Sequence, residues 1–205
     1  MARPRAFDET AVLDAAMQCF WARGYEATSV RDLAERMGIT GASLYNAFGD
    51  KRSLYRRVLD HYVAQSIGDR ITRLEGSLPP LDAIAAFFEE IIERSMTDVQ
   101  RKGCLLINSA LEVAPHDEEF RRVIADVLKR MEGFFRRSVE AGQKDGSITL
   151  SQPPDDLARL LLSVLLGIRV LARSRPERAL LEGSVRPVLA MLDPDRAYAT
   201  DARLN

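Results

Sequence analysis

Histidine and cysteine are nearly absent. The 205-residue chain holds two of each, His61, His116, Cys19 and Cys104. Two distant cysteines form neither a disulfide framework nor a zinc pattern, which fits a reducing compartment. Neither histidine stands in a Glu-x-x-His arrangement, so a carboxylate-bridged di-iron bundle is not expected. There is no Walker loop, no nucleotide-binding glycine fingerprint and no serine elbow. An enzyme is therefore not expected, and neither is a metal or a cofactor. Net charge is also nearly absent, at −1. No global basic field advertises nucleic acid, so any such role must be local. The longest apolar run, "LLLSVLLGI" (Leu160 to Ile168), lies between Arg159 and Arg169. It is far shorter than the ~20 residues a bilayer requires. The opening "MARPRAFDET" has no apolar h-region, so it does not read as a secretory signal. We expect no membrane partner and a cytoplasmic location.

No β-alternation of useful length is present either, and what remains reads as helix throughout. Leu13, Ala16, Met17 and Phe20 recur at helical spacing, with Gly24 placed to end that helix. Thr28 and Ser29 are natural N-caps for a second helix, and Asp32 completes a capping box with Ser29. Gly38 stops it. Thr40 can cap a brief third helix and Asp50 a fourth. "GSLPP" (Gly76 to Pro80) is the clearest boundary in the first half. Past Pro80 the helices lengthen, and Pro187 should bend or break the last one. The expectation is an all-α chain of about nine helices. Residues 1–55 would form a three-helix helix-turn-helix domain, and 56–205 a C-terminal helical domain for ligand binding and dimerisation.

"LAERMGITGASLYNAFGDKRSLY" (Leu33 to Tyr55) has helix-turn-helix spacing. A small residue at Ala34 lets the second helix of the pair approach, and Gly38 supplies the tight turn. Leu44, Ala47 and Phe48 share one side of the third helix by i, i+3 and i+4 spacing. That leaves Ala42, Ser43, Tyr45 and Asn46 facing out. Such a face suits a groove of DNA. Asn can bond adenine bidentately, Ser several base edges, and Ala can pack on a thymine methyl. Tyr45 offers a hydroxyl at phosphate height, and Lys51 a charge beside a helix N-terminus. Arg3 and Arg5, beside Pro4, suit phosphate or a minor groove. A plain helical hairpin or a scaffold dimer has the same spacing, but neither needs a small, hydroxyl and amide outer face.

"GYEATSVRDLAERMGITGASLYNAFGDKRSLYRRVL" (Gly24 to Leu59) resembles the DNA-binding domain of the TetR/AcrR family of bacterial repressors. The resemblance rests on Gly24-Tyr25, Thr28-Ser29, the Ala34/Gly38 pair, Leu44-Tyr45, Phe48 and Lys51 through Leu54. "KGCLLINSALE" (Lys102 to Glu112) resembles a segment of one branch of that family. The resemblance implies a homodimer that binds a palindromic operator in double-stranded DNA. A small-molecule effector bound to the C-terminal domain would release it. It also implies that Thr28, Ser29, Ser43, Tyr45, Asn46 and Lys51 fall at DNA-contacting positions.

The C-terminal part must then dimerise and sense. The helix Leu157 to Ala172 is apolar almost all round, and such a helix is buried on every side. One chain can cover one face and a second chain the other. We expect Leu161, Ser163, Leu165 and Gly167, with Val185 and Leu189 of the last helix, to form a four-helix interface across a dyad. Intramolecular core is the alternative for all of them. For the effector, Phe88 and Phe134 offer apolar lining, and Asn108, Glu112 and Arg169 offer polar contacts. Cys104 follows Arg101, Lys102 and Gly103 at the start of a helix. Basic neighbours and a helix N-terminus favour the reactive thiolate. Some members of the resembling family sense electrophiles or oxidants through such a cysteine, which is the alternative mode of release. Buried packing is the other reading of Cys104, as it is of Cys19.

Overall fold

A computed structural model of the chain describes residues 8–194, and every regular element among them is helical. The head comprises α1 (Glu9–Arg23), α2 (Val30–Met37), α3 (Gly41–Phe48) and the start of α4 (Lys51–Val63). A π-helical turn, Ala64–Gly68, carries α4 into α5 (Asp69–Leu74) without leaving helical backbone angles. The body continues with α6 (Pro80–Thr97), α7 (Leu105–Glu112), α8 (Glu118–Asp145), α9 (Pro154–Ser174) and α10 (Arg178–Leu192). With α4 and α5 counted as one rod, nine helical rods span the described residues. The boundary expected after residue 55 falls inside α4, so one helix belongs to both halves.

The helix ends follow local chemistry. Asp8, Ser29, Thr40, Asp50 and Asp117 each accept backbone N–H groups in the first turn of α1, α2, α3, α4 and α8. At α2 the box is reciprocal: Asp32 N–H donates to Ser29 Oγ at 3.1 Å, and Ser29 N–H to Asp32 Oδ2 at 3.0 Å. Gly38 ends α2 at φ +66°, a left-handed angle that glycine adopts without strain. Pro80 and Pro154 open α6 and α9, where a missing N–H costs nothing. Pro187 does not break α10. Leu181, Val185, Val188 and Leu192 bury the same helix along its length, and that packing outweighs one lost hydrogen bond.

In the body, α8 lies along α9 and α6, and α10 covers α6 and α9. Phe87 and Phe88 of α6 interlock with Phe134 and Phe135 of α8 at centroid distances from 5.2 to 5.7 Å. Each fully buried ring contributes about 1.5–3 kcal/mol. Leu161, Leu165 and Val185 are buried in the chain's own core, which corrects their assignment to a dimer surface. Leu161 and Leu165 lie on α9, which packs along α8, and Val185 on α10, which packs on α6 and α9. The opposite stripe of α9 stays open: Ser163 and Gly167 are exposed, Val170 is half exposed, and Leu160 and Val164 are only partly covered. Leu189 is partly covered as well.

Candidate nucleic-acid interface and sensor cavities

The head is assembled by α1 packing on α2 and α4. Leu33, Ala34, Leu44 and Phe48 are buried, which turns the rest of α3 outward. Ala42 and Asn46 are exposed, and Tyr45 is 52% exposed. Ser43 is partly covered, with its Oγ 2.9 Å from the capping hydroxyl of Thr40. Lys51 sits at the first turn of α4, its Nζ 4.3 Å above the Tyr25 ring and 3.4 Å from the Glu26 carbonyl. Ser29 is exposed at the start of α2, though its hydroxyl already donates to Asp32. Those hydrogen bonds, with Arg23 at 2.7 Å, hold the Asp32 carboxyl down at about 2.

Thr28 is a correction. Its side chain is completely buried and its hydroxyl donates to the Gly24 carbonyl at 2.6 Å, so it shapes the α1–α2 turn and presents no hydroxyl to DNA. Arg3 and Arg5 lie outside the described residues. Arg31 was not anticipated. It stands exposed on α2 without a carboxylate partner among the described residues. The signal was present, because its position falls off the Leu33/Ala34/Met37 side of that helix. Arg52, beside Lys51, is drawn away by ion pairs with Asp117 and Glu119 of the body at 2.6 and 2.7 Å.

Head and body meet through α4 and α7. Tyr55 packs on Phe20 and Phe120, and its hydroxyl lies 2.7 Å from Ser109 Oγ. Burial pushes that phenol up to about 12. Glu112, expected at an effector, instead accepts the Glu26 backbone N–H at 2.9 Å. Its carboxylate oxygens stand 3.0 Å from where a Cβ on Gly24 would sit, and Gly24 has φ +87°. Only glycine serves both the angle and the approach.

The other expected effector residues separate. Cys104 and Arg169 line a small internal cavity of about 30 Å³, with Tyr62, Phe87, Leu106 and Met131. Ser66 and Ile67 of the π turn wall it too. The Tyr62 hydroxyl lies 3.4 Å from Cys104 Sγ. Lys102, expected to favour a thiolate there, reaches Gln18 at 2.7 Å and the Trp21 ring instead. Asn108 is occupied structurally, donating to the Lys102 carbonyl and accepting from Arg173. Phe134 is fully buried, stacked on Phe87. Phe88 lines a different feature, an open groove of about 550 Å³ between α6 and α10. Cys19 is buried. No metal-holding cluster of His, Cys, Asp or Glu occurs among the described residues.

A capped helix pair presenting an open third-helix face, carried on a larger helical body with its own cavity, defines a helix-turn-helix transcriptional regulator. Two family descriptions match in register with these parts. Residues 12–58 match the bacterial regulatory proteins of the tetR family, and residues 80–186 the tetracyclin repressor-like C-terminal domain. The chain belongs to the TetR family. It is 30% identical over 194 residues to the uncharacterized regulator YezE of Bacillus subtilis, covering 94% of this chain and 100% of that one. To the repressor ComR of Escherichia coli it is 31% identical, over 83% of this chain and 82% of that one. A solved structure of a CifR cysteine mutant, complexed with 26 bp of double-strand operator DNA, superposes with TM-score 0.81 and 35% identity. That match covers 91% of this chain and 98% of the other.

Proposed function

We propose that the chain represses transcription as a cytoplasmic homodimer on a palindromic operator, and that a small molecule entering the body releases it. The observation that carries the reading is the open face of α3. Tyr45 and Asn46 reach no partner through their side chains among the described residues, while the cap and core fix the helix beneath them. A groove of DNA gives those side chains their partners. The open stripe of α9, with Ser163 and Gly167 four residues apart, lets a second copy approach closely. Two α3 helices would then lie about 34 Å apart, one turn of DNA. No helix among the described residues is long and apolar enough to cross a membrane.

A second reading is supported by the position of Cys104. This thiol is partly exposed at the N-cap of α7 and borders the internal cavity. An electrophile or oxidant reaching that cavity would add bulk where α7 packs, and α7 is bonded to the head through Glu112. The cavity in its present shape holds no more than about one water.

The test is an electrophoretic shift with the DNA upstream of the protein's own gene. A specific complex, resistant to competitor DNA, is expected. Binding no tighter than to random DNA would refute the reading.

A further inference from the structure

A second recess adjoins the cavity described above, sharing Arg94 and Arg169 with it, and opens between the head and the body. Trp21 of α1, Arg94 at the end of α6, Lys102 and Gly103 of the loop before α7, and Arg169 of α9 wall a cleft of about 370 Å³. We infer that this cleft binds a small organic carboxylate, held by Arg94, Lys102 and Arg169 against Trp21. The inference deepens the regulator reading by naming the ligand class, and only the regulatory consequence of binding rests on that reading.

The charge balance of the cleft carries the argument. Two arginines are buried among the described residues, Arg70 and Arg169. Arg70 has a carboxylate partner, Glu90, at 2.9 Å. Arg169, only 6% exposed, has neutral partners alone: the Ser95 hydroxyl at 2.7 Å and the Gly103 carbonyl at 2.6 Å. A guanidinium carries five N–H donors. A buried one without a counter-ion keeps an uncompensated desolvation cost. Arg94 and Lys102 add two more cations, and neither pairs with a carboxylate among the described residues. Lys102 donates to Gln18, and both cations lie over the Trp21 ring, at 5.7 and 4.8 Å. Asp98 is the one acid on the wall, and its Oδ2 already accepts the Gly103 N–H at 3.0 Å. The indole N–H of Trp21 is buried without an acceptor. Three cations around a recess that holds a single acid call for an anion rich in acceptors. A planar carboxylate matches the guanidinium fork, and the indole suits an apolar body beside it. Occupancy would tie α1 to α6 and α9, across the joint on which the head is set.

Trp21 is the sole tryptophan, so its fluorescence reports on this cleft. The full-length protein is titrated with acetate, benzoate and phenylacetate at constant ionic strength. Benzamide serves as neutral isostere and inorganic phosphate as an alternative anion. The expected result is a saturable change with at least one carboxylate, about tenfold tighter than with benzamide or phosphate. Arg94→Gln and Lys102→Gln each weaken it about tenfold while the thermal midpoint stays near that of the parent. Arg169→Gln, which also cuts the tie from Ser95 to Gly103, is read only beside those two. No saturable change with any of the three carboxylates overturns the inference. So does an equal response to benzamide or phosphate, or undiminished binding in both surface variants. Operator binding is measured on the same preparation. Operator binding without carboxylate binding removes the cleft and leaves the regulator reading. Carboxylate binding without operator binding does the reverse.

Discussion

The Glu112 carboxylate accepts the backbone N–H of Glu26 at 2.9 Å, joining the last turn of α7 to the α1–α2 turn of the head. The Glu26 carbonyl in turn takes Lys51 Nζ at 3.4 Å. One short chain of contacts thus runs from the body to Lys51, the residue proposed above for a phosphate contact. Glu112→Ala is expected to cost at most about 1.5–3 kcal/mol, the range for a hydrogen bond to a charged group. Glu112→Gln, which keeps an acceptor, should lose less. Urea unfolding measures the cost, and amide exchange at Glu26 should quicken in both variants. Unchanged exchange at Glu26 would show that the bond does not hold the turn.

On operator DNA, Lys51→Ala should weaken binding to all sequences alike and flatten the salt dependence. Asn46→Ala should instead relax preference at one base pair, by about 1–3 kcal/mol if the contact is bidentate. Fluorescence anisotropy on operator and random DNA over a salt series separates them. Equal losses on both DNAs for Asn46→Ala would show that it reads no base.

The two faces of α9 should respond differently. Leu161→Ala opens a cavity in the chain's own core and should cost about 2–5 kcal/mol. Gly167→Phe places a ring on the open stripe and should dissociate the dimer while helicity persists. Analytical ultracentrifugation and circular dichroism read the two effects. A Gly167→Phe variant that stays dimeric moves the interface elsewhere.

Asp32 and Asp117 are held down at about 2, the first mainly by Ser29 hydrogen bonds and the second mainly by Arg52. A depressed carboxyl stabilises the fold above its unfolded value, about 4. That contribution fades as pH falls from about 4 through about 2. Asp117→Asn should flatten this part of the profile and barely alter it near pH 7 in slope. Thermal midpoints between about pH 2 and 7 provide the check, and an unchanged slope below 4 would count against the Arg52 pair.

Electrophile release is expected to run through Cys104. Cys104→Ser should bind operator as the parent does and lose release by N-ethylmaleimide. Cys19→Ser should keep that release. If treated and untreated parent bind operator equally, the thiol is packing and the effector acts by occupancy alone.

What the sequence determined by itself was local. The capping box of Ser29 and Asp32, the caps at Thr40 and Asp50, and the outward set of Tyr45 and Asn46 each depend on neighbours within one helical turn. Spacing is enough to read them, and so is the helix count. The tertiary structure decided what spacing cannot carry. Thr28 is buried because its hydroxyl turns back on Gly24, a choice made by the turn's packing. In a helix apolar on nearly every side, periodicity has no phase, so only the placement of α8 shows that Leu161 and Leu165 face inward while Ser163 and Gly167 do not. Glu112 finds its partner 86 residues away, and Arg169 lies against Gly103 at a separation of 66. Both contacts follow from how head and body dock, where burial sets the partner of each charge.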